Sequence, residues 1–125
     1  IWLADAEKEF YKLIDTLNIP VLTTWKSVDL LPEDHRLFAG RPGSIGQRGA
    51  NFVLQNADLL ITIGARMDLP QTAFDHDNFG KMAKKVFVDI DECEIKKMKT
   101  HVDIPIICDA KNFVCEMRIS NEEVR

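Results

Sequence analysis

Four apolar runs of the sequence each end in residues that could contact a dinucleotide. The chain leaves these runs through Thr23-Thr24-Trp25, Gly64-Ala65-Arg66, Asp89-Ile90-Asp91 and Cys108-Asp109. Arg66 offers paired donors to a diphosphate, and Gly64 permits close approach of the backbone to a ligand. Thr24 offers a hydroxyl, and Asp89 or Asp109 can accept hydrogen bonds from ribose or adenine. These residues indicate a nucleotide site, provided that the fold brings the four ends together.

Structural roles compete for several of the same residues. Asp91 and Asp109 are placed to cap helices, which is the favoured interpretation for both. Thr24 fits equally well as a β-branched strand residue. Arg66 has no evident role in a core, so ligand contact is favoured for it.

Glycine recurs at every third position from 40 to 49, in Gly-Arg-Pro-Gly-Ser-Ile-Gly-Gln-Arg-Gly. This spacing matches neither the dinucleotide fingerprint nor the P-loop, and no strand leads directly into it. Two interpretations remain open: a tight loop that enters a helix, or a backbone that passes close to a flat ligand with helix amides nearby.

The elements that must position these residues alternate between helix and strand. Hydrophobic periodicity predicts helices at 5–18 and about 46–57, and a short helix within 67–82. A further helix should start at Asp91, where Glu94 would complete a capping box and Ile90 and Ile95 would form a hydrophobic staple. A final helix should be capped by Asp109. Apolar runs predict strands at 19–24, 58–63, 85–90 and 104–108, with 25–45 irregular. This order predicts a three-layer α/β fold with a doubly wound, Rossmann-like parallel sheet, in which ligands bind at the carboxyl ends of the strands.

The chain opens on a helix, whereas the first strand of a doubly wound fold is normally central and leads into a phosphate-binding glycine turn. We therefore expect the first strand to be missing from this fragment. The strand should be supplied by residues outside the sequence, or the structure should contain a gap between two half-sheets.

Composition excludes several other classes of protein. The 125 residues fit one domain, and a net charge of -4 with scattered basic residues argues against nucleic acid or an anionic membrane as a partner. The three cysteines predict reduced packing residues in a cytoplasmic protein. No metal site is expected, and the three histidines are interpreted as surface or capping residues.

Four segments together resemble the central domain of acetolactate synthases and their thiamine-diphosphate-dependent relatives. They are Ile19-Pro20-Val21-Leu22-Thr23-Thr24, Gly46-Gln47-Arg48-Gly49-Ala50-Asn51, Asp58-Leu59-Leu60-Ile61-Thr62-Ile63-Gly64-Ala65-Arg66 and Val88-Asp89-Ile90-Asp91. The resemblance covers nearly the whole chain, in order and with matching spacing.

The resemblance implies an enzyme of three α/β domains, in which the outer two bind thiamine diphosphate and Mg²⁺ and the central one binds FAD, ADP or nothing. It implies decarboxylation of a 2-oxo acid, addition to a second carbonyl compound, and a homodimer or homotetramer. No catalytic residue is expected here, so the fragment alone should be inactive. By position, the cofactor contacts would be Thr24, Trp25, Lys26, Gly64, Ala65, Arg66, Asp89, Ile90 and Asp109.

The chain departs from the family after Arg66. Met67-Asp68-Leu69-Pro70 replaces an aromatic residue, two acidic residues and a second arginine, at the end of the site expected to face the flavin ring. Trp25 replaces a smaller residue. A purely structural spacer domain that binds no nucleotide remains the alternative, and an independent nucleotide-binding module is disfavoured by the missing strand.

Overall fold

The computed structural model describes residues 1–123, with side chains to residue 120. The helices are α1 (Glu7–Leu17), α2 (Arg48–Asn56), α3 (Leu69–Thr72), α4 (Glu92–Lys96) and α5 (Ala110–Glu123). The strands are β1 (Val21–Leu22), β2 (Phe38–Gly40), β3 (Leu59–Ile63), β4 (Lys84–Asp89) and β5 (Ile104–Ile107). Each predicted helix and strand is present, with ends that differ by a few residues.

Three strands form a parallel sheet in the order β3-β4-β5. Ile61 lies opposite Val86, and Val88 lies opposite Ile106. Helices connect these strands, so the predicted α/β fold with parallel strands is confirmed. The parallel register places the carboxyl ends of all three strands at one edge.

A second parallel sheet consists of β1 and β2. The prediction that 25–45 is irregular was wrong at β2, which the sequence pattern did not indicate. Phe38, Ala39 and Gly40 are too few to show a periodicity, and they become a strand because Val21 and Thr23 donate backbone hydrogen bonds to Leu37 and Gly40.

The two sheets do not pair with each other within the described residues. A cleft of about 610 Å³ separates β1 from β3 and is lined mainly by apolar side chains. The expectation of a gap between two half-sheets is therefore confirmed.

Two hydrophobic cores give the molecule its three layers. One core packs α1 and α5 together, with Phe10, Leu13, Ile14 and Val114 buried. The other includes Leu54 of α2, Phe87 of β4 and Ile95 of α4, so helices cover both faces of the strands. Within residues 1–123, none of the helices has the length and apolar character needed to cross a membrane.

The predictions for the start of α4 were only partly correct. Asp91 caps α4 as predicted, and its carboxylate accepts from the amide of Cys93 at 2.8 Å. The capping box does not close, because the amide of Asp91 donates to Asp89 and the Glu94 carboxylate pairs with Lys97 and Arg66. The staple was also wrong, since Ile90 is 71% exposed.

The glycine-rich segment is a tight loop held between β2, α2 and the start of α3. The Asn51 side chain bonds the Gly43 amide at 2.8 Å and the Gly43 carbonyl at 3.0 Å. Gly43 has φ +134°, and a Cβ there would lie 2.2 Å from the Pro70 carbonyl oxygen. A Cβ at Gly46 would lie 2.5 Å from the Pro42 backbone. These contacts favour the tight-loop interpretation for Gly43 and Gly46.

Two glycine substitutions should have opposite effects on stability. Gly43→Ala forces a side chain into left-handed backbone and against Pro70, so we expect destabilisation of about 1–3 kcal/mol. Gly49 lies in α2, and a Cβ added there would have no other atom within 4 Å, so Gly49→Ala should stabilise by up to about 0.5–1 kcal/mol. Urea unfolding followed by circular dichroism measures both. Equal midpoints for the two variants would contradict the loop packing described here.

Candidate functional site

The carboxyl edge of the β3-β4-β5 sheet brings four of the predicted site residues together. The amide of Gly64 donates to the Val88 carbonyl at 2.8 Å, and the amide of Cys108 donates to the Asp89 carbonyl at 3.1 Å. Gly64, Asp89, Ile90 and Asp109 therefore lie at or just beyond the ends of neighbouring strands, at the same edge. This is the edge at which ligands bind in doubly wound sheets.

Gly64 leaves an open space beside the first turn of α5. Its φ is +55°, and the nearest atom to a Cβ placed there is the Cβ of Ala110, at 4.0 Å. Asp109 precedes α5 as the predicted cap, and its carboxylate accepts from the amide of Lys111 at 2.8 Å. The backbone at Gly64 can thus be approached closely by a ligand, although the Asp109 carboxylate already uses one amide of α5.

Arg66 extends from the same strand end into solvent, with 69% of its side chain exposed. Its Nε lies 3.7 Å from Oε1 of Glu94, which is a structural partner that the sequence did not indicate. An exposed ion pair of this length contributes little, about 0–1 kcal/mol at most, so the guanidinium can exchange it for a better anion. Ala65 packs against the α2 and α4 core and supports the strand end.

The turn between β4 and α4 is held by its own carboxylates. Asp89 accepts from the amide of Asp91 at 3.0 Å, and Asp91 accepts from Cys93. Ile90 lies between them and is exposed. One oxygen of Asp89 remains available to a ligand hydroxyl group after this bond is made.

Thr24, Trp25 and Lys26 lie on the other sheet, after β1, and do not adjoin the β3-β4-β5 edge through hydrogen-bonded strands. Thr24 precedes a short 3-10 turn, Trp25–Ser27. Trp25 is 60% exposed, and the Lys26 ammonium lies 5.5 Å from its ring centre. Thr24 lines the cleft on one side, and Gly64 and Ala65 line it on the other.

Thr23 is a further residue of this region that sequence reasoning did not select. It is 3% exposed and lines the cleft, and its Oγ1 has no hydrogen-bond partner among the residues described. The sequence around Thr23 could not predict that its hydroxyl is buried and unpaired, because this depends on which groups lie across the cleft.

The histidines have structural roles, as predicted for surface or capping residues. Nδ1 of His35 accepts from the Leu37 amide, and Nδ1 of His76 accepts from the Lys99 amide. His101 is exposed beside Asp103.

The three cysteines are all free thiols, but their surroundings differ. Cys93 is exposed, so its prediction as a packing residue was wrong. Cys108 is half-buried next to the candidate site. Burial raises the pKa of the Cys108 thiol, and the carboxylate of Asp109 adds to this rise.

The reactivities of these thiols should differ accordingly. The thiolate is the reactive form, so a raised pKa leaves Cys108 with less of it at neutral pH. We expect iodoacetamide to alkylate Cys93 faster than Cys108 at pH 7, with Cys108 gaining reactivity as pH rises. Peptide mass spectrometry of timed samples measures both rates, and faster labelling of Cys108 would contradict the burial described.

The family model and the most similar relatives of this chain indicate the same family of proteins. Residues 1–117 match the family model described as thiamine pyrophosphate enzyme, central domain. The chain is 39% identical over 117 residues to a probable acetolactate synthase large subunit of Methanococcus aeolicus, covering 94% of this chain and 19% of that protein. It is 40% identical over 114 residues to the acetolactate synthase large subunit of Corynebacterium glutamicum, covering 91% and 18% respectively.

An acetolactate synthase of Mycobacterium avium is 37% identical over 113 residues, with 90% of this chain and 18% of that protein covered. The chain thus spans about a fifth of the length of the curated relatives it matches. The family match extends over most of the chain, and the α/β fold agrees with the resemblance seen in the sequence. The chain belongs to the family of thiamine pyrophosphate enzyme central domains.

Proposed function

We propose that this chain is the non-catalytic central domain of an acetolactate synthase-like enzyme, and that it binds FAD or ADP in the intact protein. The observation that carries the first part is the family match over residues 1–117, together with relatives named acetolactate synthase at 37–40% identity. The intact enzyme would act on a 2-oxo acid such as pyruvate, within a homodimer or homotetramer in the cytoplasm.

The nucleotide proposal is supported by the fit between the residues present and a diphosphate. The open backbone at Gly64 and the exposed guanidinium of Arg66 follow the same strand. The first turn of α5 lies beside Gly64 and adds backbone amides that favour an anion. Asp89 would accept from a ribose hydroxyl, and Thr24 would contact the nucleotide from across the cleft.

Catalysis would take place outside this chain. When bound to the outer domains with Mg²⁺, thiamine diphosphate supplies the decarboxylation and carbon–carbon bond chemistry. The residues of this chain would hold the nucleotide through Arg66 and the strand ends, while the two cores keep those ends in place. Trp25 directly follows Thr24 in the chain, and its exposed ring would be free to contact a ligand.

A structural spacer without nucleotide is the second candidate, and specific contacts favour it. Arg66 already pairs with Glu94, and Asp89 and Asp109 already accept backbone amides. All three residues would therefore have a role in a domain that binds no ligand. The two candidates differ in what the purified intact protein carries.

The nucleotide content of the intact protein tests the proposal directly. We expect purified full-length protein to release FAD or ADP on acid denaturation, at about one molecule per chain. Chromatography of the released material identifies which of the two is present. Release of neither, together with no binding of added FAD or ADP by calorimetry, would establish the spacer instead.

Replacing Arg66 tests its proposed role. Arg66→Ala in the full-length protein should weaken FAD or ADP binding by roughly 1.5–3 kcal/mol, because a charge-assisted contact to the diphosphate is lost. That loss corresponds to an affinity about 10- to 150-fold lower. Isothermal titration calorimetry measures it.

Two matched variants separate ligand contact from structural pairing. Glu94→Gln removes the partner of Arg66 and should leave affinity equal or higher, because the guanidinium is freed. Arg36→Ala removes another exposed arginine that pairs with a carboxylate, Asp15, and should leave affinity unchanged. If Arg66→Ala binds the nucleotide as tightly as Arg36→Ala does, Arg66 is not a ligand contact.

A further inference from the structure

The carboxylate of Glu94 is shared between two cations that come from different elements. One is Arg66, which follows β3 and has its Nε 3.7 Å from Oε1 of Glu94. The other is Lys97, which caps the C-terminal end of α4 and pairs through its ammonium group with Oε2 of the same carboxylate. Each oxygen of Glu94 therefore has its own cationic partner, and the loss of one partner leaves the carboxylate with the other.

The two ion pairs differ in how firmly they are held. Lys97 lies three residues after Glu94, so the backbone of α4 already brings the two side chains together. Arg66 lies on a separate loop, its contact with Glu94 is longer, and 69% of its side chain is exposed, compared with 32% for Lys97. Lys97 is therefore the closer partner of Glu94, and Arg66 is the partner that can leave.

The position of Glu94 makes this sharing important for the candidate site. Its side chain lines a small hollow at the carboxyl edge of the sheet, together with Ala65 and Asp89. Asp89 thus brings a second carboxylate to the same hollow. Two carboxylates next to the proposed position of a diphosphate would repel it, and a cation that stays on one of them reduces this repulsion.

We propose that Lys97 is a positioning residue of the nucleotide site and that it acts through Glu94. Its ammonium group holds the Glu94 carboxylate on α4 and neutralises it, so that Arg66 is held weakly and stays available to an incoming diphosphate. This inference deepens the proposed nucleotide binding and rests on it for its effect on affinity. The arrangement of the three side chains does not require a ligand, so it can be tested without one.

Removal of the Lys97 ammonium would strengthen the hold of Glu94 on Arg66. Among the residues described, Glu94 would then keep Arg66 as its remaining ion-pair partner, and the pair between them would tighten. A diphosphate that took Arg66 would also leave Glu94 as an unpaired carboxylate next to its own negative charge. Both effects lower the affinity for a nucleotide, and neither operates when residue 94 is uncharged.

Helix α4 contains a matched ion pair for comparison. Lys96 pairs with Glu92 at 2.8 Å, four residues away, and both side chains are exposed. This pair has the same chemistry and lies on the same helix, but Arg66 pairs with Glu94 rather than with Glu92. Lys96→Met therefore removes an ammonium group from α4 without changing what holds Glu94.

Arginine modification in the full-length protein, freed of nucleotide, tests this arrangement directly. Phenylglyoxal modifies guanidinium groups, and a tighter ion pair slows the reaction, so peptide mass spectrometry of timed samples reports how firmly Glu94 holds Arg66. We expect Lys97→Met to slow the modification of Arg66 about 2- to 5-fold, which is the range of an exposed ion pair. Lys96→Met and the conservative Lys97→Arg should leave the rate unchanged, and Arg36, an exposed arginine of another ion pair, gives the reference rate in each sample.

Removal of the charge at Glu94 separates a positioning role of Lys97 from any other role. In the Glu94→Gln background, Lys97→Met should no longer slow the modification of Arg66, because no carboxylate is left to tighten on the guanidinium. An unchanged rate in Lys97→Met alone, or the same slowing with and without the charge at position 94, would overturn the proposal.

Calorimetric titration of the full-length protein with ADP or FAD tests the consequence for binding. Lys97→Met should lower the affinity about 2- to 5-fold by itself and leave it unchanged in the Glu94→Gln background. An equal loss in both backgrounds would mean that Lys97 contacts the nucleotide itself, which would overturn a role through Glu94. Failure of the wild type to bind either nucleotide would overturn the proposed function, and the modification rates would still decide whether Lys97 controls Arg66.

Discussion

The pairing of β4 with β3 on one side and β5 on the other fixes the position of every candidate ligand group at the carboxyl edge. In a parallel ladder, a slip of one residue exchanges the two faces of a strand. Such a slip in β4 would take Phe87 out of the core that it shares with α2 and α4. The same burial that fixes this register therefore also sets Gly64, Asp89 and Asp109 on neighbouring strand ends.

Several of these residues serve the fold and could serve a ligand at the same time, and magnitudes decide which role prevails. The pair between Arg66 and Glu94 is exposed, and such pairs contribute about 0–1 kcal/mol. A charge-assisted bond from Arg66 to a diphosphate is worth roughly 1.5–3 kcal/mol, so a bound nucleotide would take the guanidinium from Glu94. The Asp91 and Asp109 carboxylates are different, because each accepts a close bond from the backbone of the helix that it caps.

The cleft between β1 and β3 imposes a cost on the chain by itself. It places backbone groups of both strands and the Thr23 hydroxyl beside apolar walls. Polar groups that are removed from water without a hydrogen-bond partner are unfavourable. A strand presents its backbone amides and carbonyls to one side at every second residue.

The sequence by itself determined the α/β alternation, the four strands that lie within apolar runs and the helix caps at Asp91 and Asp109, because these depend on neighbours along the chain. It also predicted the gap between the half-sheets, since the order of elements leaves no strand before α1. Only tertiary structure decided that Phe38–Gly40 forms a strand, because these three residues are extended through their backbone pairing with β1. The pairing of Arg66 with Glu94, the exposure of Ile90 and Cys93, and the unpartnered Thr23 hydroxyl likewise depend on contacts between residues distant in sequence, which no local pattern records.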